Sequence, residues 1–454
     1  MLKEFKTATI TFHAPENCGA FLQAYALQYY IEHVLSLPND IINYRSEAQK
    51  KEYDLFHTQT GVRGLFRDFC SCIRLSDLKK RKKQYKILQE KYLKCTQECK
   101  DTNEVIKQAL EYNVLICGSD QIWNDRLRDA STAYYLPGLR NKISYACSMG
   151  SDISEGTKSN LEKYLKEFFA ISVREKGAAA FIRKEYCQEA ACCVDPTLLI
   201  GKEVYEQIIC NEKRGTPEKY IFLYTVKCQE YILKIAQSLS KQFDLPVYSI
   251  MSTPSVYAGF RAQRYGIRVL YSGDPADFLS YIREASFVLS DSFHGIVFSV
   301  IFHKSFLRGQ SVHNGKLVQD ERIDSFLYNV GLDDRNIFYD KEGSNPFNKV
   351  SIDWDLVDKK LTKLSEESGE WLKKSIENLC RNEKEVAIPQ LVRDKHGCCG
   401  CGACSAACPT YSVLMISDNE GFSYPVVNPY TCIGCNACIS ACRFNQDQQS
   451  KGLS

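Results

Sequence analysis

The sequence predicts an α/β protein with two Rossmann-like, doubly wound domains followed by a small α+β domain. Three observations support this expectation. Apolar, β-rich runs alternate with helical stretches up to about residue 380, a polar break with Gly and Pro interrupts them at residues 211–219, and cysteines crowd the chain after residue 397. Alternating strands and helices of this kind form parallel sheets with helices on both faces.

The first domain is expected at residues 1–215, where six β-rich runs occur. Residues 19–34, GAFLQAYALQYYIEHV, have the apolar spacing of a helix between the first two runs. Residues 50–110 are polar, basic and helix-forming, and we interpret them as a helical insert. The six runs lie at residues 7–12, 40–45, 113–120, 142–150, 168–175 and 192–200.

The second domain is expected at residues 216–380. A long amphipathic helix at residues 353–379 closes it. Residues 381–396 then read as a linker, and residues 397–446 form the small C-terminal domain. The runs that contain strands lie at residues 220–226, 245–250 and 287–302.

Composition and charge are those of an ordinary globular protein. The chain has 454 residues, 44% hydrophobic and 25% charged, with a formal net charge of +3, so no general attraction for nucleic acid is expected. The first residues lack the apolar segment of a signal peptide, and no run approaches the roughly 18 apolar residues of a membrane-spanning helix. We therefore expect a cytoplasmic protein, with peripheral contact at the inner face of the membrane left open.

Cysteine usage indicates a redox module rather than disulfide bonds. The chain contains 22 cysteines without an export signal, which fits a reducing cell and an anaerobic host. Eight of them form two runs with the spacing C-x-x-C-x-x-C-x-x-x-C, the first followed by Pro409. Residues 396–445 resemble bacterial two-cluster ferredoxin domains, in which the fourth cysteine of each run binds the other cluster.

This resemblance implies two [4Fe–4S] clusters. A zinc site also uses C-x-x-C pairs, but two complete runs at matching spacing favour iron–sulfur. Cys399 is surplus, since a register that uses it breaks the two-residue spacing. The expected ligand sets are Cys398, Cys401, Cys404 and Cys442 for one cluster, and Cys432, Cys435, Cys438 and Cys408 for the other.

Several loops of the large region lie where strands end and helices begin, the place where α/β sheets bind ligands. Together, about residues 5–335 resemble the polysaccharide pyruvyl transferase family. The motifs that carry the resemblance are HAPENCGAFLQAYALQ (13–28), GSDQIWN (118–124), SVREKGAAAFI (172–182), VDPTLL (194–199), SDSFHGIVFSVIF (290–302) and ERIDSFL (321–327).

The resemblance implies a GT-B-like fold, with phosphoenolpyruvate as donor and a saccharide or lipid-linked saccharide as acceptor. The reaction would turn two sugar hydroxyls into a pyruvate ketal, as part of cell-surface polysaccharide synthesis. Such a site needs anion-binding groups, a general acid and a base.

Three residues are expected to be catalytic. His294 follows an apolar strand, and the resemblance makes it a phosphate ligand or general acid; the alternative is a turn histidine bonded to the backbone. Arg174, at a strand end, would bind the donor; the alternative is an ion pair with Glu175 or another acid. Asp120 would act as base.

The remaining candidates would contact substrate. Asn17 and Gly19 open the first helix, where free N–H groups bind anions or sugars, unless Asn17 only caps the helix. Ser292 stands where many family members carry Arg, so donor binding there would depend on other cations. Asp195, beside Pro196, is expected to be structural. The full set of expected substrate contacts is Asn17, Gly19, Ser119, Gln121, Asn124, Ser292 and Arg322.

Two further questions stay open at this stage. The basic run KKRKKQYK (79–86) is either a solvated helix face or a contact for an anionic acceptor at a membrane surface. The tail either regulates a transferase or docks an electron-carrying partner. An iron–sulfur oxidoreductase using the same cleft and a non-catalytic docking protein remain alternatives, although no G-x-G-x-x-G follows a strand.

Overall fold

The computed structural model describes most of the chain. The described residues are 5–52, 62–150, 152–226, 228–251, 255–310, 312–313, 316–340, 343–344, 351–381, 387–391, 397–418 and 420–444.

Six parallel strands form the first sheet. They are β1 (Thr7–Ile10), β2 (Asn39–Ile41), β3 (Val114–Cys117), β4 (Lys142–Cys147), β5 (Ala170–Val173) and β6 (Ala191–Cys192). Their order is β2-β1-β3-β4-β5-β6, and β1, β3 and β4 are buried throughout because helices cover both faces. The predicted run at 192–200 is mostly not a strand. It leaves the sheet after Cys192, and Asp195 caps a 3₁₀ turn at Pro196–Leu198, since proline cannot donate to a ladder.

Eight helices accompany this sheet in the described residues. They are α1 (Cys18–Tyr29), α2 (Glu47–Glu52), α3 (Val62–Ile73), α4 (Leu75–Tyr92), α5 (Thr102–Ala109), α6 (Glu155–Tyr164), α7 (Lys176–Tyr186) and α8 (Lys202–Glu212). A π-helical turn, Tyr30–Val34, extends α1. Asn17 caps the first turn of α1; its Oδ1 accepts hydrogen bonds from the N–H groups of Gly19 and Ala20 at 2.9 and 3.2 Å.

A second, mainly parallel sheet contains seven strands. They are β7 (Ile221–Tyr224), β8 (Val247–Ile250), β9 (Arg268–Leu270), β10 (Phe287–Ser290), β11 (Phe306–Gln310), β14 (Asn336–Asp340) and β15 (Gly343–Ser344). The order is β15-β14-β11-β10-β7-β8-β9, and only β15 runs antiparallel to its neighbour. A two-stranded ribbon, β12 (Val312–His313) with β13 (Lys316–Leu317), follows β11.

Six helices belong to this second half. They are α9 (Glu230–Phe243), α10 (Val256–Gln263), α11 (Pro275–Glu284), α12 (Phe293–Ile301), α13 (Glu321–Val330) and α14 (Trp354–Arg381). α11 begins with a capping box between Asp274 and Asp277 and has Pro275 in its first turn, so three local signals agree on its start. Within the described residues, none of the helices combines the length and the apolar character needed to span a membrane.

Two helices join the halves. α8 packs on α11 of the second half, with Tyr205 edge-on to Phe298 at 4.9 Å. α14 returns to the first sheet, where the hydroxyl of Ser368 accepts the N–H of Val194 at 3.0 Å and Trp371 lies against Tyr145. One apolar core therefore runs through both halves.

The helical insert also binds both halves, through Arg81. This side chain is fully buried in α4, although it lies in the middle of the basic run. Its guanidinium donates to the carbonyls of Met251 and Gly273 at 2.9 Å and to that of Glu16 at 2.7 Å. It also pairs with the Glu16 carboxylate at 3.4 Å. The run is thus not a wholly solvated face.

The C-terminal domain is a hairpin between two short helices. α15 (Ala403–Ala406) precedes the strands β16 (Val413–Ser417) and β17 (Ser423–Val427), and α16 (Ala437–Ala441) follows them and packs on α15. Ile416 joins the core of the first half. Asn428 donates to Asn141 at 3.0 Å, and the Arg140 guanidinium lies over the Tyr411 ring. The domain is therefore docked where β4 begins.

Candidate functional site

A cleft of about 2210 Å³ lies between the two sheets. Its walls come from loops that follow β1, β3, β7 and β10, and from β11 and the start of α13. These are carboxyl ends of parallel strands, where α/β sheets bind ligands. Seven predicted site residues line the cleft: Asn17, Asp120, Gln121, Asn124, Ser292, His294 and Arg322.

His294 lies in the first turn of α12 and reaches across to the first half. Its ring approaches Gly19 so closely that a Cβ there would be 2.1 Å from Nδ1. Gly19 is therefore next to His294, and the absence of its side chain makes room for the imidazole. Nε2 of His294 has no hydrogen-bond partner and lies 3.7 Å from Oδ2 of Asp195.

Arg174 lies behind the cleft rather than in its wall. Nη2 is 2.6 Å from Oδ2 of Asp195 and donates to the Ser119 hydroxyl at 2.6 Å. The guanidinium also stacks on Phe293, with 4.9 Å between its carbon and the ring centre. Nε and Nη1 are buried without partners. Arg174 lines a smaller cavity of about 340 Å³, which it shares with Asp195, Phe293 and Arg322.

Asp195, which the sequence analysis expects to be structural, is buried and caps the 3₁₀ turn, but its contact with Arg174 and its approach to His294 were not foreseen. Besides Arg174 and His294, it binds the Thr197 N–H and hydroxyl at 2.9 and 2.6 Å. Burial opposes its ionisation, but Arg174 and His294 together hold the pKa of Asp195 below its ordinary value. A carboxylate that stays charged in a buried place can orient both the guanidinium and the imidazole. The sequence signal for a place near the site was that Asp195 lies in VDPTLL, one of the motifs that carry the resemblance.

Ser119 does not reach the cleft. It is fully buried, its hydroxyl donates to the Ala146 carbonyl at 2.8 Å, and it accepts from Arg174. The expected contact with a sugar is thus replaced here by a contact with Arg174. The next polar groups do face the cleft: Asn124 donates to Gln121 at 2.9 Å, and Asp120 accepts the Gln121 N–H at 2.8 Å.

Two arginines of the second half face the cleft with acidic partners. Arg322 binds Asp320 through Nε and Nη2 at 3.0 and 2.6 Å, and Arg308 binds Asp324. Ser292 begins α12, and its side chain does not cap the helix. Arg308 and Arg322 are cations in the lining of the cleft.

Glu175, which the sequence interpretation did not single out, is fully buried beside this cluster. Ser148 donates a short hydrogen bond to Oε1, and Oε2 has no partner. Burial raises the pKa of Glu175 to about 7, although Ser148 and Arg174 act in the opposite direction. This carboxyl group therefore titrates near neutral pH.

The cysteine loops of the tail show matching local geometry. Gly400 donates to the Cys398 sulfur and Gly434 to the Cys432 sulfur, both at 3.4 Å. Cys404 lies within electrostatic reach of Cys398 and Cys442, and Cys438 within reach of Cys408 and Cys432. The fourth cysteine of each run thus lies with the other run. Among the described residues, no three metal-binding side chains converge as a mononuclear site.

The fold and the cleft place the large region among GT-B-like α/β proteins, with two facing parallel sheets and ligand-binding loops between them. A model of the polysaccharide pyruvyl transferase family matches residues 17–308, and a 4Fe-4S dicluster domain matches residues 397–446. The chain belongs to the polysaccharide pyruvyl transferase family and carries an iron–sulfur domain at its C-terminal end.

Solved structures with similar folds are remote in sequence. The S. aureus MnaA protein, solved with UDP, is 13% identical, with 82% of this chain and 91% of that chain covered and a TM-score of 0.42. The Methanocaldococcus jannaschii UDP-GlcNAc 2-epimerase, solved with UDP-GlcNAc and UDP, is 10% identical, covering 82% and 99%, with a TM-score of 0.45. The E. coli ADP-heptose LPS heptosyltransferase II is 11% identical, covering 80% and 99%, with a TM-score of 0.35. No curated protein matches the chain.

Proposed function

We propose that the protein transfers a pyruvyl group from phosphoenolpyruvate to two hydroxyls of a saccharide or lipid-linked saccharide, in the cytoplasm. The observation that carries the proposal is the group formed by His294, which lines the cleft, and by Asp195 and Arg174, which lie behind it. It joins an imidazole and a guanidinium, each with nitrogen atoms that lack a hydrogen-bond partner, at positions of the shared family motifs. Such groups suit the carboxylate and phosphate of the donor.

The reaction balances without electrons. A proton added to C3 of phosphoenolpyruvate leaves a cationic C2, one sugar hydroxyl attacks C2, and phosphate departs from it. The second hydroxyl then closes the ketal and releases its proton. His294 is the proposed proton donor or phosphate ligand, with Asp195 as its positioning residue. Arg174 would contribute positive charge to the donor from behind the cleft wall, and Asp120 would accept a hydroxyl proton.

The open part of the cleft suits the acceptor. Asn17, Gln121, Asn124 and Ser292 offer amide and hydroxyl groups there, which match the hydrogen-bonding needs of a saccharide. Arg308 and Arg322 would add positive charge near an anionic donor or acceptor, in place of the cation that Ser292 lacks. Both arginines are already paired with aspartates, so a bound anion would share each guanidinium with an aspartate.

The tail fits two [4Fe–4S] clusters held by the two cysteine sets predicted above. The fit rests on the eight thiols, the crossed grouping of the fourth cysteines, and the N–H groups that donate to sulfur. The clusters would supply one-electron redox chemistry to a sensing step or an electron-carrying partner. The tail contacts the first half by the start of β4, whereas the cleft lies past strand ends. Six strand residues at about 3.3 Å each span roughly 20 Å. This weighs against clusters that act on substrate in the cleft.

The test is an anaerobic assay of the full chain with phosphoenolpyruvate and candidate saccharides, free and lipid-linked. Phosphate release should accompany a product with the added mass of a pyruvyl ketal. His294→Ala should reduce the rate at least about a hundredfold, the scale of a lost general acid. Phosphate release without a modified saccharide, or equal rates in the variant, would contradict the proposal. A reductant requirement would favour the oxidoreductase alternative, and the absence of any turnover would favour a docking role.

A further inference from the structure

The helices α3 and α4 carry a surface that is both basic and apolar, which we call the α3–α4 face. Lys79, Lys82, Lys83 and Lys86 lie on one side of α4, because residues three or four positions apart share a helix side. Lys80 lies at the edge of the same side. All five are exposed, whereas the opposite side of α4 is buried.

Large apolar side chains are exposed on the same two helices. Phe69 is 63% exposed and Ile73, one turn further along α3, is 56% exposed; Ile87 on α4 is 46% exposed. Single exposed apolar residues are common on protein surfaces. Three of them on the two helices that also carry five exposed lysines offer two contacts that bind proteins to anionic lipid, apolar insertion and attraction to headgroups.

Charge complementarity points to one kind of partner. Only two acidic residues, Asp77 and Glu90, occur in α4. Asp77 pairs with Arg74 at 3.6 Å, and Glu90 pairs with Lys86 at 3.7 Å. α3 adds one acidic residue, Asp68, so the five lysines still leave an excess of positive charge. This charge attracts anionic headgroups while the apolar side chains enter the interface.

The buried side of α4 contacts a loop that leads into the cleft. Arg81, on the buried side of α4, binds Glu16, and the next residue, Asn17, lines the cleft. The same arginine holds the carbonyls of Met251 and Gly273 in the second half. A partner bound to the outer side of α4 would thus lie on a helix whose inner side contacts both halves and the residue before Asn17.

We propose that the α3–α4 face binds the surface of an anionic lipid bilayer. Binding itself is independent of the reaction proposed above. The consequence that a lipid-linked acceptor reaches the cleft from this bilayer rests on that proposed function.

Vesicle co-sedimentation of the full chain, purified anaerobically, tests the proposal without an activity assay. Vesicles of phosphatidylglycerol and phosphatidylcholine should bind the protein, and vesicles of phosphatidylcholine alone should bind it at least about tenfold more weakly. Raising the salt from about 0.1 to about 0.5 M should release it, because the charges are exposed. Equal binding to both vesicles would overturn the proposal.

Matched variants locate the surface. Lys79→Glu, Lys83→Glu and Lys86→Glu together should weaken binding at least about tenfold. Lys359→Glu, Lys363→Glu and Lys373→Glu on the exposed side of α14 change the charge equally and should leave it unchanged. Equal losses in the two triple variants would show a general charge effect and overturn the proposal.

The double variant Phe69→Ser and Ile73→Ser distinguishes other partners. It should weaken vesicle binding while the full chain keeps the same oligomeric state in sedimentation velocity. If the unmodified protein is a dimer that this variant dissociates, the face binds a second copy, and the proposal is wrong. Tighter binding to a duplex RNA probe than to the anionic vesicles, lost in the α4 triple variant, would likewise overturn it.

Discussion

Nε2 of His294 lies 3.7 Å from Oδ2 of Asp195, although the two residues belong to different halves of the protein. The same carboxylate oxygen is 2.6 Å from Nη2 of Arg174. One buried aspartate thus lies against both the guanidinium and the imidazole that the proposed reaction uses. Changes at Asp195 should therefore affect both the stability of the fold and the catalytic group.

Asp195→Asn should lower the free energy of unfolding at neutral pH by about 3 kcal/mol, because Arg174 would keep an unpaired buried charge. The wild-type pKa of Asp195 is depressed, so its stabilisation is present above the ordinary value of about 4 and lost as pH falls below it. Urea unfolding at several acidic pH values should show that the free energy of unfolding falls less with decreasing pH in Asp195→Asn than in the wild type. Asp152→Asn, at an exposed ion pair, should keep the wild-type profile.

Glu175→Gln should make the protein more stable at alkaline pH. The pKa of Glu175 is raised to about 7, so the folded state holds its proton more tightly than the unfolded state. Stability therefore falls as pH rises from about 4.5 through 7, by up to about 3 kcal/mol. The difference in the free energy of unfolding between pH 5.5 and pH 8.5 should be smaller in Glu175→Gln than in the wild type. Glu366→Gln, at an exposed position, should leave the difference intact.

Gly19→Ala should impair transfer activity, because its Cβ would lie 2.1 Å from Nδ1 of His294 and push the ring away. We expect a drop in kcat/KM of at least about tenfold, less than for His294→Ala. Gly215→Ala is the control, since its added Cβ meets nothing within 4 Å. Unchanged kinetics in Gly19→Ala, with an unaltered far-ultraviolet spectrum, would mean that the ring position does not matter for turnover.

Anaerobically purified protein should be brown and contain about eight irons, as expected for two four-iron clusters. Cys442→Ser should reduce the iron content, because Cys442 lies with Cys398 and Cys404. Cys399→Ser should leave both clusters in place, since the ligand spacing does not use it. Air should bleach the colour. Stoichiometric zinc without iron would show that the cysteine loops are zinc sites.

A chain that ends near Val386, which lies outside the described residues, should keep its transferase activity but become less stable. Removal of the tail exposes the surface under Ile416 and breaks the contact between Asn428 and Asn141. A fully buried Ile side chain contributes about 1.5–3 kcal/mol. Thermal unfolding and the transfer assay together check this expectation. A cut chain that folds normally yet loses all activity would show that the tail takes part in the reaction.

Local signals in the sequence were sufficient for several features. The cysteine spacing predicts its ligand sets because three thiols of each set come from one short loop. Alternating strands and helices predict the α/β class because hydrophobic periodicity is set by neighbours in the chain. The motifs around His294 and Arg174 identified the family that the model of residues 17–308 confirms.

Contacts between distant segments decided the rest. The contacts of Asp195 with Arg174 and His294 could not be predicted, because these residues are 21 and 99 positions away. Ser119 was expected to contact a sugar, but in the fold its hydroxyl accepts a hydrogen bond from Arg174. Arg81 belongs to a basic run, but α4 lies between the two halves and the side chain is buried. Periodicity and spacing report which face of an element is apolar, but not which distant element covers it. The free energy of burying those charges and apolar faces depends on their partners, and only the tertiary structure brings the partners together.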